Sequence, residues 1–325
     1  LPAFPAFARC LPVLGIAYLL GLAPACGRPD SSSDAAVTSA PDASAAQALS
    51  ASAPPPDGSA SAPPASSDDD DLRPCPTEMV FIPAPKPFCI DRWEDILVDK
   101  ATGNRLSPYY PVDRALAQKL ASQWEAKRGT MGTDEGKAIA VPPLSTWQRS
   151  TDADPMAVSK PGETPNGYVS GKVAQRACEN AGKRLCKHDE WVRACRGRAD
   201  RQFPYGDKHE QGKCNMFRST HPGAVLHDDI TTGHLDPRMN LVRDKQGPLL
   251  RTTGGTPSCK SEWGDDAVFD MVGNLDEWID DPEGTFVGGF FSRSKKDGCS
   301  SIVKNHPFNY FDYSLGVRCC RDPGP

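Results

Sequence analysis

Residues 270–278 read Asp270-Met271-Val272-Gly273-Asn274-Leu275-Asp276-Glu277-Trp278. Val272-Gly273-Asn274 is a turn signal with carboxylates on either side of it. Two chemistries suit that arrangement. Carboxylates at both ends of a tight turn are the hard oxygen donors that Ca2+ takes. Alternatively, Asp270 and Glu277 cap the loop by accepting backbone N–H bonds. Before this block, from Gly206 on, the chain runs in short irregular stretches rich in Gly, Asp and Asn; after it come two strand-like runs, Thr285 to Phe291 and Ser314 to Cys320. Further back, Val173, Ala177, Cys178 and Ala181 line one face of an expected helix that stops at Gly182. Trp191, Ala194 and Cys195 mark a second, which stops before Gly197. Leu116, Leu120 and Trp124 recur at helical spacing after Pro111-Val112-Asp113, whereas residues 128–170, rich in Gly, Pro, Thr and Asp, read as a long surface excursion. Met79 to Ile82 and Phe88 to Ile90, split by a Pro-rich turn, form a hairpin that Cys75 and Cys89 are placed to close. Few helices and much loop indicate an α+β domain.

Of the 12 cysteines, all but Cys10 and Cys26 lie between Cys75 and Cys320. Ten cysteines in an exported domain read as five disulfides. A zinc site would need close pairs such as C-x-x-C, and the one close pair is the adjacent Cys319-Cys320. Export is written at the other end of the chain. The uncharged run Cys10 to Ala25 follows Arg9 and has the length of a signal-peptide core rather than of a membrane span. Ala23 and Ala25 before Cys26 resemble the lipobox of bacterial lipoproteins, so Cys26 is the expected lipid anchor to a membrane of the cell envelope, with residues 1–25 removed. The alternative is an ordinary signal peptide cleaved after Ala25. Residues 26–72, nearly all Ala, Ser, Pro, Asp and Gly, cannot bury enough apolar surface to offset their ordering entropy and read as a disordered tether. The 42 acids less eight before residue 73, and the 37 bases less two, leave residues 73–325 with 34 against 35. A near-neutral domain argues against a nucleic-acid partner, which would require phosphate neutralisation.

The order of short blocks then becomes informative. Phe88-x-Ile90-Asp91-x-x-Glu94, Tyr168-Val169-Ser170, Ala181-Gly182-Lys183-Arg184-Leu185, Glu190-Trp191, Arg196-Gly197, Phe203-Pro204-Tyr205-Gly206, Cys214-Asn215, Asp270 to Trp278, Gly288-Gly289 and Gly316-Val317-Arg318-Cys319 occur in that sequence. The set resembles the formylglycine-generating enzyme family, or sulfatase-modifying factors, over roughly residues 73–322. The resemblance implies a loop-rich variant of the C-type-lectin-like fold, stapled by disulfides, over a domain spanning 73–325. It also implies a calcium site made by Asp270, the Gly273 and Leu275 carbonyls and Glu277, with a structural role, and the disulfides Cys178–Cys319 and Cys195–Cys299. Elimination then pairs Cys75 with Cys89, Cys214 with Cys259, and Cys186 with Cys320.

Enzymes of that family oxidise a sulfatase cysteine with O2, using Cu(I) held between two cysteines near a Gly-Gly-Ser motif. Two soft thiolates are what linear Cu(I) requires. Here Gly288-Gly289 is followed by Phe290, Phe291, Ser292 and Arg293, and Cys299 is the only cysteine in the segment. Copper is therefore not expected. The iron-dependent relatives carry H-x-x-x-H-x-E, a spacing that none of the six histidines shows. The expected function is a non-catalytic module that presents loops 128–170 and 218–257 to a protein, peptide or glycan partner, with Phe290, Phe291 and Arg293 as a candidate ligand pocket. The competing reading is an oxidoreductase-type enzyme of the same family with altered chemistry.

Overall fold

The computed structural model describes residues 74–83, 85–292 and 297–324, all within one compact unit. Cys26, the expected signal peptide and tether, and Arg293 lie outside the described residues.

Two small sheets organise the domain. The first runs in the order Met79–Ile82, Phe88–Asp91, Cys319–Arg321, Arg184–Leu185. The hairpin is its first pair, antiparallel with Val80 opposite Ile90. The second sheet runs Ile302–Val303, Phe286–Val287, Asp276–Trp278, Leu315–Gly316, with the last pair parallel. The C-terminal segment thus contributes to both sheets within seven residues, which places Arg318 between them.

Local chemistry explains the helices. In Gly171–Asn180 the Ser170 hydroxyl accepts from the Val173 N–H (3.3 Å), and the chain leaves the helix through Gly182 at φ +68°. It buries Ala174, Ala177 and Cys178. His188–Arg196 starts where the Glu190 carboxylate reaches back to the Lys187 N–H (2.9 Å), buries Trp191, Ala194 and Cys195, and ends at Gly197. Arg114–Lys127 is capped by Asp113, which accepts from the Leu116 N–H (2.7 Å), and buries Ala117, Leu120 and Trp124.

Five bridges tie these elements together: Cys75–Cys89, Cys178–Cys319, Cys186–Cys320, Cys195–Cys299 and Cys214–Cys259. The adjacent cysteines Cys319 and Cys320 point to opposite faces of one strand, as period-two geometry requires. One therefore takes the first helix and the other the segment leading into the second.

Residues 128–170 are not the surface excursion that their composition suggests. Pro155–Ser159 pairs antiparallel with Asp95–Asp99 over five positions, burying alternate residues. Pro155 sits at the first position of its strand, where a missing N–H is tolerated. Beyond it, buried Asn166 accepts from the Leu97 N–H (2.8 Å) and donates to the Ser107 carbonyl (3.1 Å). A polar composition is here spent on satisfying buried backbone rather than on facing water.

Candidate functional site

The turn at 270–278 lies at the centre of a buried charge network. Gly273 has φ +86°, and a Cβ there would meet the Asn215 carbonyl oxygen at 2.3 Å, so only glycine fits. Asp270 and Asn274 on either side also take positive φ, at 59° and 60°. The turn therefore directs Asp270, Asn274 and Glu277 into the interior, where each is under 4% exposed.

Arg318, fully buried, holds Glu277. Its Nε donates to both carboxylate oxygens (3.0 and 2.9 Å) and its Nη2 donates to Oε1 (2.8 Å). The Trp191 indole donates to Oε2 at 2.6 Å. The other guanidinium N–H groups reach the carbonyls of Asp91 (2.9 Å) and Phe269 (2.8 Å). Burial alone would lower the Arg318 pKa, but the Glu277 charge and hydrogen bonds outweigh it, and the net shift is upward.

Glu94, which the sequence alone connects to no chemistry, completes the network. Its carboxyl accepts from the Asn274 side-chain amide and from the Leu275 N–H (3.1 Å). Burial, then the nearby Asp270 and Glu277, push its pKa well up. Burial likewise raises Asp270 to about 7, against the opposing hydrogen bond from the Gly254 N–H (2.6 Å). A short distance away Asp91 binds Lys183 (2.6 Å) and shares a carboxyl–carboxyl hydrogen bond with the buried Asp95. Burial and then Asp91 raise Asp95 well above its ordinary value. Two carboxyls so placed in a dry site cannot both carry charge.

Of the calcium set expected from the sequence, Asp270, the Gly273 and Leu275 carbonyls and Glu277, the last meets a competing cation in Arg318. The four Glu277 contacts already occupy both of its carboxylate oxygens, and a divalent ion there would have to sit against a buried guanidinium. Arg318 already supplies the cation that Glu277 needs. The other acidic cluster, Asp91 and Asp95 with Cys319, offers no thiolate, because Cys319 is bridged to Cys178.

The stretch after Gly288-Gly289 is also more closed than expected. The Gly289 N–H donates to Asp276 Oδ1 (3.0 Å) and the Phe291 N–H to the Asn274 carbonyl (3.2 Å), which binds this segment to the turn. Phe291 is fully buried among Tyr168, Leu275 and Tyr313, so it is core rather than pocket wall. Phe290 is half-buried and packs edge-to-face on Phe291 (5.3 Å) and Tyr313 (5.8 Å). Cys299 is bonded to Cys195 of the helix His188–Arg196.

Residues 118–322 match the family described as "Sulfatase-modifying factor enzyme 1-like domain". No curated protein matches the chain. Among solved structures, CarF is 13% identical with a TM-score of 0.36, over 73% of this chain and 86% of that one. PvdO from Pseudomonas aeruginosa is 14% identical with a TM-score of 0.33, over 75% and 90%. A Major Tropism Determinant variant, M1, is 14% identical with a TM-score of 0.36, over 78% and 54%. Similarity at this level carries nothing about activity.

Proposed function

We propose that this chain, which belongs to the Sulfatase-modifying factor enzyme 1-like family by its match over residues 118–322, is a binding module that does not perform the family's copper oxidation. The observation that carries this reading is the Cys195–Cys299 disulfide. Cys299 is the only cysteine following Gly288-Gly289 before the Cys319-Cys320 pair, and all three are bridged. A disulfide sulfur is not a thiolate and does not hold Cu(I). The inward packing of Phe291, with Phe290 edge-to-face on it, supports the same reading by leaving no soft ligand on the segment after Gly288-Gly289 up to Ser292.

The five disulfides also favour an oxidising compartment, which agrees with the export segment at residues 1–25. In this reading Cys26 is acylated and residues 26–72 give the domain reach from the membrane. Two experiments test the proposal. Proteolysis without reduction, followed by mass spectrometry, should recover Cys195 and Cys299 in one linked fragment; a free Cys299 thiol in the active protein would remove its basis. Detergent should be needed to extract the wild-type chain, whereas Cys26→Ser should be released in soluble form.

A further inference from the structure

Two cavities of about 580 and 390 Å3 lie on either side of Tyr109 and share it and Thr164 as lining residues. Each is within the size range of ligand sites. Their charge is one-sided. Among the described residues no carboxylate lines either cavity, whereas Arg243 and Arg251 line the larger and Arg105 the smaller. Arg105 is paired with Glu163. Arg251 spends one N–H on Thr256 Oγ1 (2.9 Å), and the exposed Arg243 side chain has no hydrogen bond or ion pair among the described residues. In a domain whose residues 73–325 carry 34 acids against 35 bases, a groove lined by no acid, with an exposed Arg243 unpaired among the described residues beside the half-buried Arg251, is complementary to an anion.

Asn240, which lines the larger cavity, and Gln148, which lines the smaller, each carry one buried amide atom without a partner among the described residues, of opposite hydrogen-bonding sense. Asn240, 3% exposed, donates to the Tyr313 carbonyl (2.8 Å), which fixes its orientation and leaves Oδ1 as the unused acceptor. Gln148, 1% exposed, accepts from the Ser107 N–H (3.0 Å), which leaves Nε2 as the unused donor. An unpaired buried amide costs free energy until something supplies its partner. A folded ligand satisfies its own amides internally; an extended chain offers both N–H and C=O groups. Pro108, Pro142 and Pro143 give the smaller cavity apolar walls for side chains.

We propose that the groove on either side of Tyr109 binds an acidic peptide segment in extended conformation, with Arg243 and Arg251 meeting its carboxylates. This rests on the binding-module reading above and gives it a ligand class. The test uses the full chain and fluorescently labelled degenerate hexapeptides carrying Glu at two fixed positions, or Lys at the same positions, followed by anisotropy at low and moderate salt. The Glu mixture should bind at least about tenfold tighter than the Lys mixture, weaken with salt, and lose about tenfold with Arg243→Glu, a substitution at an exposed side chain that leaves the fold alone. Lys208→Glu, outside the groove, should leave binding unchanged. Equal binding of the two mixtures, no binding, or indifference to Arg243→Glu overturns the groove assignment. So does displacement of the Glu peptides by an acidic oligosaccharide such as oligogalacturonate at lower concentration than by unlabelled peptide. Recovered peptides are weighed in the same experiment: unchanged mass with no binding sinks the groove alone, whereas chemically altered peptide sinks the non-catalytic reading.

Discussion

Glu277→Gln is the substitution that most directly probes the buried network. It removes the charge that neutralises Arg318 while keeping nearly the same volume, so the effect is electrostatic rather than a cavity. Breaking a buried ion pair by deleting one partner costs about 3–5 kcal/mol, because the other charge is left uncompensated. Three details place this case near the lower end. The glutamine oxygen still accepts from the Trp191 indole, and Arg318 keeps its bonds to the Asp91 and Phe269 carbonyls. Removing the Glu277 charge also removes one of the repulsions that, after burial and Asp270, raise the Glu94 pKa, which eases its ionisation beside Arg318. A loss of about 3 kcal/mol is expected, or roughly 6–12 °C in melting temperature for a domain of this size. Thermal unfolding by circular dichroism, with chelator and with added Ca2+, is the assay. If the Arg318 contacts suffice to balance Glu277, the wild-type protein should melt within about 2 °C in the two conditions, and the variant should show the same drop in both. A wild-type chelator effect that Glu277→Gln abolishes would refute the argument and restore the calcium set.

Two further outcomes follow from the same geometry. Burial holds Asp270 at about 7, above its unfolded value of 3.8, so between these values the native state keeps a proton that the unfolded chain has lost. Stability should therefore be highest below about pH 4 for this group and fall as pH rises towards and through 7; Asp270→Asn should flatten that slope in urea titrations at pH 5, 6, 7 and 8, and an unchanged slope would contradict the assignment. Replacing Cys178 and Cys319 together by Ala leaves Cys186–Cys320 in place, so it opens only the short loop through residues 178–186 and 319–320 and should cost about 3 kcal/mol by the chain-entropy model, read as a shift in the denaturation midpoint; a shift under about 1 kcal/mol would show that the bridge contributes little.

The parts of the fold that could be read from the sequence are those with local signals. The apolar faces Val173, Ala177 and Cys178 and Trp191, Ala194 and Cys195, Gly182 and Gly197 at the ends of those helices, and the Pro-rich turn between Met79–Ile82 and Phe88–Asp91 each announce themselves within a few residues. The turn at Gly273 is legible for the same reason. The charge network is not, because its members meet only in the fold: Arg318 is 41 residues from Glu277, and Glu94 is 180 from Asn274. Carboxylates flanking a turn look like cation ligands when the guanidinium that serves them is out of sight. Phe290-Phe291 reads as an aromatic pocket for a related reason, since nothing local says that Phe291 packs into the core against Tyr168 and Tyr313. Pro155–Ser159 is obscured by Pro and polar neighbours, and its strand character comes from its partner Asp95–Asp99 rather than from its own pattern.

The central claim is that the domain lacks the copper chemistry of its family because its cysteines are committed to disulfides. The most direct measurement incubates the purified chain, supplied with Cu(I) and O2, with a sulfatase-type peptide containing Cys-x-Pro-x-Arg and follows the mass of the peptide cysteine. The cysteine should remain unconverted to formylglycine in wild-type protein and in Cys26→Ser alike. Conversion over multiple turnovers would contradict the account and would require two of the ten bridged cysteines to be thiolates in the working protein.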